Sequence, residues 1–502
     1  MKQVKVKTIS NVITLLMVLS SNFITAQGYN HNWLLCYHYN SNDTLSRMTF
    51  DSNSYNLIPE QRKIPFKAFT QANISDENGN LLMSTNGVWI ANSTGDTMKN
   101  GKGLNPNSFT SAWIDGLPIP YGSLFLPYPD DSTKYVLFHQ TGDSLNNVPS
   151  TELYFSIIDI AKDSVISKNN ILFHDTISWG LAACRHANGR DWWIVAQKDS
   201  SNFLYRILLT PTGITNLGYI QLNFPISFKN ASQMTFSPDG TKFSYTTNIP
   251  YHPDSSFVLL CNFDRCNGTF INETTFFINE GFLFGLAFSS NSKIIYTNSA
   301  EHIFQIDLDN SIIDTITTYD GFNSPYAWCC PTTFFNCYLA ANGKIYLTSG
   351  NGVRHIHEIN FPDSIGTVCD IQQHAVPIPT QGFHRGSVPN HPNYYLGCDT
   401  TSGCPCLVPT TGINEIEYDF KFKIFPNPVT NNILNISYLL PQNKQGLFEI
   451  YDVTGKVVFK YILPQWSNVQ SFKLPKLANG IYNCLLTSDN KRVSKKVAVL
   501  NE

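Results

Sequence analysis

The sequence predicts an all-β protein: a large β-propeller followed by a small immunoglobulin-like β-sandwich. Three observations predict it. A strand–turn–strand unit recurs at a near-constant interval through most of the chain. The stretch from Phe422 to Leu500 reads as seven short strands between turn residues, and these two regions carry opposite net charge.

A fixed period decides architecture before any single element does. The unit is an apolar alternating strand, a tight polar turn and a second apolar strand. It occurs at Ala72–Met83 around Asn78-Gly79, at Leu124–Phe138 around Pro129–Thr133, and at Leu181–Val195 around Asn188-Gly189. It returns at Met234–Tyr245 around Pro238-Asp239-Gly240, at Leu286–Thr297 around Ser290–Ser292, and at Tyr338–Thr348 around Asn342-Gly343. Turn positions 79, 132, 189, 240, 292 and 343 are separated by 53, 57, 51, 52 and 51 residues. A parallel β-helix needs a much shorter period and a string of sandwiches about twice as much, whereas a four-stranded propeller blade fits. Gly28 to Gly397 spans 370 residues, which at about 52 per blade gives seven blades, with six as the alternative count. The blade without its own turn signal is expected to combine Asn32–Phe50 with the end near Gly382–Leu396 and so close the ring.

The tail has different punctuation. Phe425-Pro426-Asn427-Pro428 is a rigid corner, since each proline fixes its own φ and pushes the preceding residue toward extended backbone. Leu447–Tyr451 and Lys456–Tyr461 flank the turn Asp452-Val453-Thr454-Gly455, a hairpin signal. Val469–Leu474, Gly480–Thr487 and Val493–Leu500 follow, broken by Pro475 and Asn479-Gly480. At Pro426, Asn427, Pro428, at Asp452, Gly455, Lys456, at Gly480, Tyr482 and at Lys495, Lys496 this stretch resembles the C-terminal sorting domain (type A) of the type IX secretion system. The resemblance implies delivery across a Gram-negative outer membrane to the medium or the cell surface, with the secretion machinery as a partner. It implies nothing about what the cargo does.

Composition agrees with an exported chain. Charged residues are only 14% of 502, and the net charge of −3 argues against a broad nucleic-acid footprint. From Phe420 to Glu502 there are 11 basic and 4 acidic residues, a net of +7. From Gln27 to Asp419 there are 20 basic and 33 acidic, a net of −13. Lys2, Lys5 and Lys7, the apolar run Val12–Leu19 and the small-residue site Ile24-Thr25-Ala26 make a secretory signal with cleavage expected after Ala26. The apolar run is too short to span a bilayer, and no transmembrane segment is expected after cleavage. The organisation expected is 1–26 signal peptide, 27–398 propeller, 399–419 cysteine-containing linker and 420–502 sorting domain.

Twelve cysteines in an exported chain permit disulfides whose pairing sequence alone does not give. Adjacent Cys329-Cys330 suit other partners or free thiols better than each other. Cys398, Cys404 and Cys406 are expected to bridge and tie down the linker; three ligands without a fourth make a poor zinc site. Cys484 alternates with apolar neighbours and reads as a buried small hydrophobe.

The body also resembles a known group. Ile74–Leu82 with Thr85-Asn86-Gly87, Met98–Gly101 with Gly103-Leu104-Asn105, and Arg185–Trp193 look like secreted bacterial propellers that often carry this tail. Phe263–Cys266, His357–Asn360 with Pro362-Asp363, and Val388-Pro389-Asn390 with Asn393-Tyr394 do so too. That group has no agreed activity, so the resemblance implies fold and leaves function open.

The sequence contains no nucleophile elbow, zinc-protease helix, phosphate loop or dinucleotide fingerprint. His355, His357 and Glu358 have the best metal-like spacing, two histidines on one strand face, but no third ligand can be assigned. His384, Arg385 and His391 lie near the expected ring closure and read as loop residues. Arg185, His186 and Asp191 beside Asn188-Gly189 read as caps of a tight turn, and Trp89, Trp113, Trp192 and Trp193 as packing between blades. No catalytic, cofactor or metal site is assigned.

Asp-Ser/Thr-aliphatic triplets beginning at Asp43, Asp96, Asp143, Asp163, Asp175, Asp314 and Asp363 exceed what composition predicts. They resemble the O-glycosylation acceptor of bacteria with this secretion route, which makes Thr44, Thr97, Ser144, Ser164, Thr176, Thr315 and Ser364 candidates. Asp-Ser/Thr also marks loop-to-strand transitions, and both readings stand at this point. The function expected is a secreted or surface-displayed binding or adhesion propeller with an extracellular protein or glycan ligand. The alternative is a secreted hydrolase or lyase acting on polysaccharide or peptide at the channel mouth.

Overall fold

The computed structural model describes residues 28–502 except 36, 38–43, 51–53, 67–68, 143–149, 224–232, 249–254, 326–330, 381, 387, 400, 408–421, 431, 439, 441–444, 464–468, 490 and 501–502. Seven blades surround an axis. Blades 2 to 7 have four antiparallel strands each and span 72–102, 123–177, 182–221, 234–278, 285–318 and 337–377. Blade 1 has three among the described residues, Asn32–Leu35, Leu45–Phe50 and Tyr55–Glu60. The outer strands of blades 2 and 3 also meet in a parallel bridge, Ser164 to Lys99.

Each of the six turns legible in sequence joins the first and second strands of one blade, on a common face of the ring. Each turn holds a residue in the left-handed region: Gly79, Asp130, Gly189, Gly240, Ser292 and Gly343. Asp130 and Ser292 adopt it without glycine, which is why those two turns are weaker signals in sequence. At Gly240 (φ 70°) an added Cβ would stand 2.8 Å from Arg265 Cδ and would also meet Leu396, so two constraints require glycine there. The longer connections, between second and third strands and from blade to blade, lie on the opposite face.

Blade 1 explains the missing seventh turn. Asn32 Nδ2 bonds Ser75 Oγ (2.9 Å) and Leu34 N bonds Asn73 Oδ1 (3.3 Å), so Asn32–Leu35 runs antiparallel to the first strand of blade 2, Ala72–Ser75. It therefore has the direction of a second strand. The first-strand position is reached only by the far end of the body, where Tyr37 forms an antiparallel bridge with Phe383 and its N bonds Phe383 O (2.7 Å). Both termini of the body thus contribute to one blade: among the described residues the late segment meets it at Phe383 and at Gly382, whose N donates to Thr44 O (3.2 Å), and then departs into the axis. Asn73 Nδ2 also donates to Asn32 O (2.8 Å).

Burial follows the alternation of the strands. Trp33, Trp192, Tyr245, Tyr296 and Tyr346 are among the largest side chains under 2% exposed, and each sits on a strand running in the second-strand direction. They pack against the adjacent blade: Trp33 lies 5.8 Å from Tyr346 and 6.0 Å from Tyr338, edge to face, which closes blade 7 onto blade 1.

The tail folds as seven strands in two sheets. One holds Phe422–Phe425, Ile433–Tyr438 and Val469–Lys473; the other holds Gly446–Tyr451, Val457–Leu463, Gly480–Ser488 and Lys491–Val499. Phe448 and Phe472 stack at 5.3 Å between them, within a core that includes fully buried Ile450 and Cys484.

Candidate functional site

In a propeller the axis is the first place to look for a site, because every blade presents its first strand there. Here the chain itself fills it. After Phe383 the polypeptide enters from the long-loop face, where Val353 and His384 bond each other's backbone (3.0 and 2.7 Å) and Gly386 N bonds Ser349 O (2.8 Å). It then runs down the ring past successive blades. Asn390 Nδ2 donates to Leu181 O before blade 4 (2.7 Å), and Asn393 Nδ2 to Pro238 O of blade 5 (2.7 Å). Tyr394 donates its hydroxyl to Phe125 O of blade 3 (2.9 Å), while Tyr395 Oη accepts from Tyr29 N (2.6 Å). Val388, Tyr394 and Leu396 are each about as buried as any core residue, at 1%, 2% and 2% exposed.

A second group closes the ring interior across blades. Tyr121 Oη donates to Gln233 Oε1 (3.0 Å), which also accepts from Leu286 N (2.9 Å), and Gln233 Nε2 donates to Cys337 O (2.8 Å). One amide thus links the approaches to blades 3, 5, 6 and 7. Burial pushes the phenols of Tyr121, Tyr338 and Tyr394 well above the usual range, and Tyr121 and Tyr394 serve as neutral donors. Between the axial segment and blades 4 and 5 lies a cavity of about 40 Å³.

The segment leaves at the turn face, gripped by two arginines. Arg185 Nη2 donates to Tyr394 O (2.8 Å), and its guanidinium lies 4.1 Å from the Trp192 ring. Arg265 Nη2 donates to Gly397 O (2.6 Å) and Nε to Arg185 O (2.9 Å). Burial lowers Arg185 to about 10, which leaves it charged at neutral pH, so both grips are charge-assisted. Beyond them Cys398 bonds Cys406, and Cys404 bonds Cys266 in the blade 5 turn, so the linker is stapled as expected.

The remaining sequence candidates fall into structural roles or stay apart. His186 stacks on Trp193 (5.4 Å) and accepts from Asn188 N; Asp191 accepts from Asn188 and Arg190. These residues form the turn that receives the axial segment. His355 meets Ser324 Oγ (2.8 Å), whereas His357 is fully buried, accepts from His374 N (3.0 Å), and is held by burial to about 3. Among the described residues no three His, Cys, Asp or Glu side chains are grouped to hold a metal ion. Trp192 and Trp193 are core; Trp113 is 43% exposed. Gln233 and Tyr121, which organise the axis, belong to no motif read in the sequence, and Arg265 and Asn390 lie in stretches that resembled the propeller group but were given no role there.

In the tail the motif residues form two fastenings. Asp452 Oδ1 accepts from Thr454 N (2.8 Å), Thr454 Oγ1 (2.6 Å) and Lys456 N (3.0 Å) around Gly455. Asn427 donates to Lys496 O (3.1 Å) and accepts from Ala498 N (2.9 Å), which ties the proline corner to the last strand. Both X–Pro bonds of that corner, before Pro426 and Pro428, are cis. Tyr482 donates to Ala478 O (2.9 Å), and Gly480 opens the strand that follows. Lys495 and Lys496 are exposed. The sandwich meets blade 7 at Asp363, which accepts from Tyr461 Oη (3.0 Å) and Gln470 Nε2 (2.7 Å).

Of the glycosylation candidates, Ser144 and the signal cleavage site lie outside the described residues. Thr44, Thr97 and Ser164 stand at strand starts, Thr176 and Thr315 within strands, and Ser364 beside the sandwich-facing Asp363. Thr315 is the exposed one among them.

The class defined is a seven-bladed propeller with a self-filled axis, joined to an immunoglobulin-like sandwich. Residues 423–500 match the family described as the secretion system C-terminal sorting domain. The chain is therefore cargo of the type IX machinery, exported to the cell surface or extracellular space. No helix among the described residues is long and apolar enough to cross a membrane. No curated protein matches the chain. Among solved structures it is similar to a candidate 6-phosphogluconolactonase of Bacteroides uniformis (12% identity, TM-score 0.43, covering 70% of this chain and 98% of that one). It is also similar to the periplasmic gluconolactonase of Pseudomonas aeruginosa (10%, 0.39, 71% and 97%). At these values the likeness carries nothing about activity.

Proposed function

We propose that this protein is an extracellular binding or adhesion propeller: an exported scaffold that engages a protein or glycan through its blade loops. What supports the reading above all is the filled axis. A hydrolase working at a channel mouth needs a concave, solvent-filled site with convergent polar groups. Here residues 388–396 occupy that space, with Asn390, Asn393 and Tyr394 bonded to the blades, and the pocket between them and blades 4 and 5 is about 40 Å³. Arg185 and Arg265, which such chemistry could use, instead hold the segment. Binding then falls to the outer rims, where exposed loops on a rigid ring are free to vary.

The test is a survey of the purified mature protein against immobilised glycans and surface proteins, run beside turnover assays on polysaccharide and peptide substrates. The expected result is saturable, reversible binding with no substrate consumed. Catalytic turnover that persists after Asn390→Ala or Tyr394→Phe, or that grows as the axial segment is loosened, would sink the reading. In the same preparation, an N-terminus other than Gln27 would displace the cleavage site, and an intact mass equal to the bare sequence would remove the glycan acceptors.

A further inference from the structure

A groove of about 420 Å³ lies at the rim between blades 5 and 6, toward the long-loop face. It is lined by the end of the outer strand of blade 5 (Thr269–Ile278), by the connection that follows, and by the third and fourth strands of blade 6 (His302–Asp307 and Ile312–Thr318). Phe277 and Ile313 supply apolar wall. Phe276 and Ile278 turn inward and are buried, so the alternation of the strand points Phe277 outward, where it is 64% exposed. A large ring left that open on a blade rim has no part in the core.

Two polar side chains meet in the same groove. His302 Nδ1 bonds Glu280 Oε1 (2.6 Å), and both side chains keep contact with solvent. Their backbones are fixed locally: Glu280 N donates to Ile278 O (2.9 Å), and His302 N to Ser299 Oγ (3.0 Å). A carboxylate at Nδ1 holds the proton of the neutral ring there, which leaves Nε2 as an acceptor. Among the described residues neither Nε2 of His302 nor the second oxygen of Glu280 takes another bond, so the pair presents two acceptors and no free donor. No lysine or arginine lines the groove. Residues 269–320, which supply its walls, carry seven acidic side chains and one basic, a net of −6. The one basic side chain, Lys293, is held by Asp309 (2.6 Å).

We propose that this groove receives a cationic side chain, lysine or arginine, of a partner protein. The inference rests on the binding-scaffold reading and names the partner's chemistry. An ammonium or guanidinium group carries donors only, the complement of the two acceptors at Glu280 and His302, and its bond to a carboxylate is roughly twice as strong as a neutral one. The alkyl stem behind the cation lies along Phe277 and Ile313, as long basic side chains do on apolar surface. The net of −6 around the groove draws cations and repels acidic chains. A free small amine needs most of its surface enclosed, which a wall as exposed as Phe277 does not provide. A side chain delivered by a protein is held in addition by contacts beyond the groove. A neutral glycan gains nothing from the local charge.

The experiment is fluorescence anisotropy with the full mature protein at neutral pH. The probes are short labelled peptides of glycine and serine that carry lysine, glutamine or glutamate at the same positions. The lysine peptide is expected to bind saturably and more weakly in high salt, and the other two not to bind. Glu280→Gln keeps a bonding partner for His302 while removing the charge, and is expected to weaken binding about tenfold. Phe277→Ala, at an exposed position, is expected to weaken it several-fold, with the melting temperature of both variants unchanged. Asp314→Asn removes an equal charge outside the lining of the groove and is expected to leave affinity within about twofold of wild type. Equal losses in Asp314→Asn and Glu280→Gln would show diffuse attraction and overturn the proposal. Equal binding of the glutamine peptide, no binding of the lysine peptide, or wild-type affinity in both groove variants would do the same. Free cadaverine binding as tightly as the peptide would overturn the assignment to a protein side chain. If the lysine peptide fails while a surface protein or a glycan binds, only this inference falls, whereas cleavage of the peptide would overturn the scaffold reading.

Discussion

Propeller and tail are both built from short antiparallel strands, yet they are held together differently. The tail is local: seven strands in sequence close on one core, and its two fastenings, at Asp452 and Asn427, join residues the motif already names. The body depends on contacts between its ends. Tyr37 meets Phe383, Tyr29 meets Tyr395, and Arg185 and Arg265 hold a strand about 130 to 210 positions away in the chain. All 12 histidines lie in the body, the last being His391, and so do both described disulfides. The address is therefore carried by a compact module of net +7, and the cargo's shape by long-range closure in a region of net −13.

The largest expected difference between the two regions is in export. Removing Phe422–Glu502 should trap the propeller in the periplasm while its melting transition persists. Fractionation and immunoblotting check this, and a truncated protein that still reaches the medium would mean the address lies elsewhere.

Acid separates them next. Burial holds His139, His357 and His384 neutral down to about 3, whereas the unfolded chain protonates near the ordinary value of 6.5. Between those limits the unfolded state binds more protons, so stability present above pH 6.5 is lost as pH falls toward 3. These three groups alone give a slope approaching about 4 kcal/mol per pH unit below pH 6, and His391, held to about 3 in the same way, adds to it. The tail has no histidine and should lack this slope. Of the 8 tryptophans only Trp466 is in the tail, so fluorescence-monitored urea melts at pH 7 and pH 5 follow the body. Identical midpoints at the two pH values would contradict the burial of these rings.

A smaller effect is expected at the seam between blade 5 and the axial segment. Gly240→Val combines a left-handed backbone with a clash against Arg265 and Leu396, and should cost the body about 3 kcal/mol. Export by the intact tail should be lost only in so far as unfolded protein is degraded. An unchanged melting temperature would show that the segment is not seated where Gly240 faces it.

The repeat was legible because each blade needs the same hairpin, and a hairpin announces itself through turn residues and alternation. Asn78-Gly79, Asn188-Gly189 and Pro238-Asp239-Gly240 could be read directly. Ser290–Ser292 and Pro129–Thr133 were readable only through the period, since Ser292 and Asp130 do the work of glycine. Ring closure by both ends was also legible, as a count of residues. The axial course of 386–398 was not: Pro389, Asn390, Pro392 and Asn393 look like a loop, and the carbonyls they satisfy belong to blades 3, 4 and 5.

By itself, then, the sequence determined the strands, their period, the sorting module and the charge that divides them, because all of these are properties of neighbours along the chain. Only the tertiary structure decided that the axis is filled, that Cys266 pairs with Cys404, and that Glu280 and His302 meet in one groove. Those depend on which distant residues the closed ring brings within a few ångströms, and no local pattern encodes that distance.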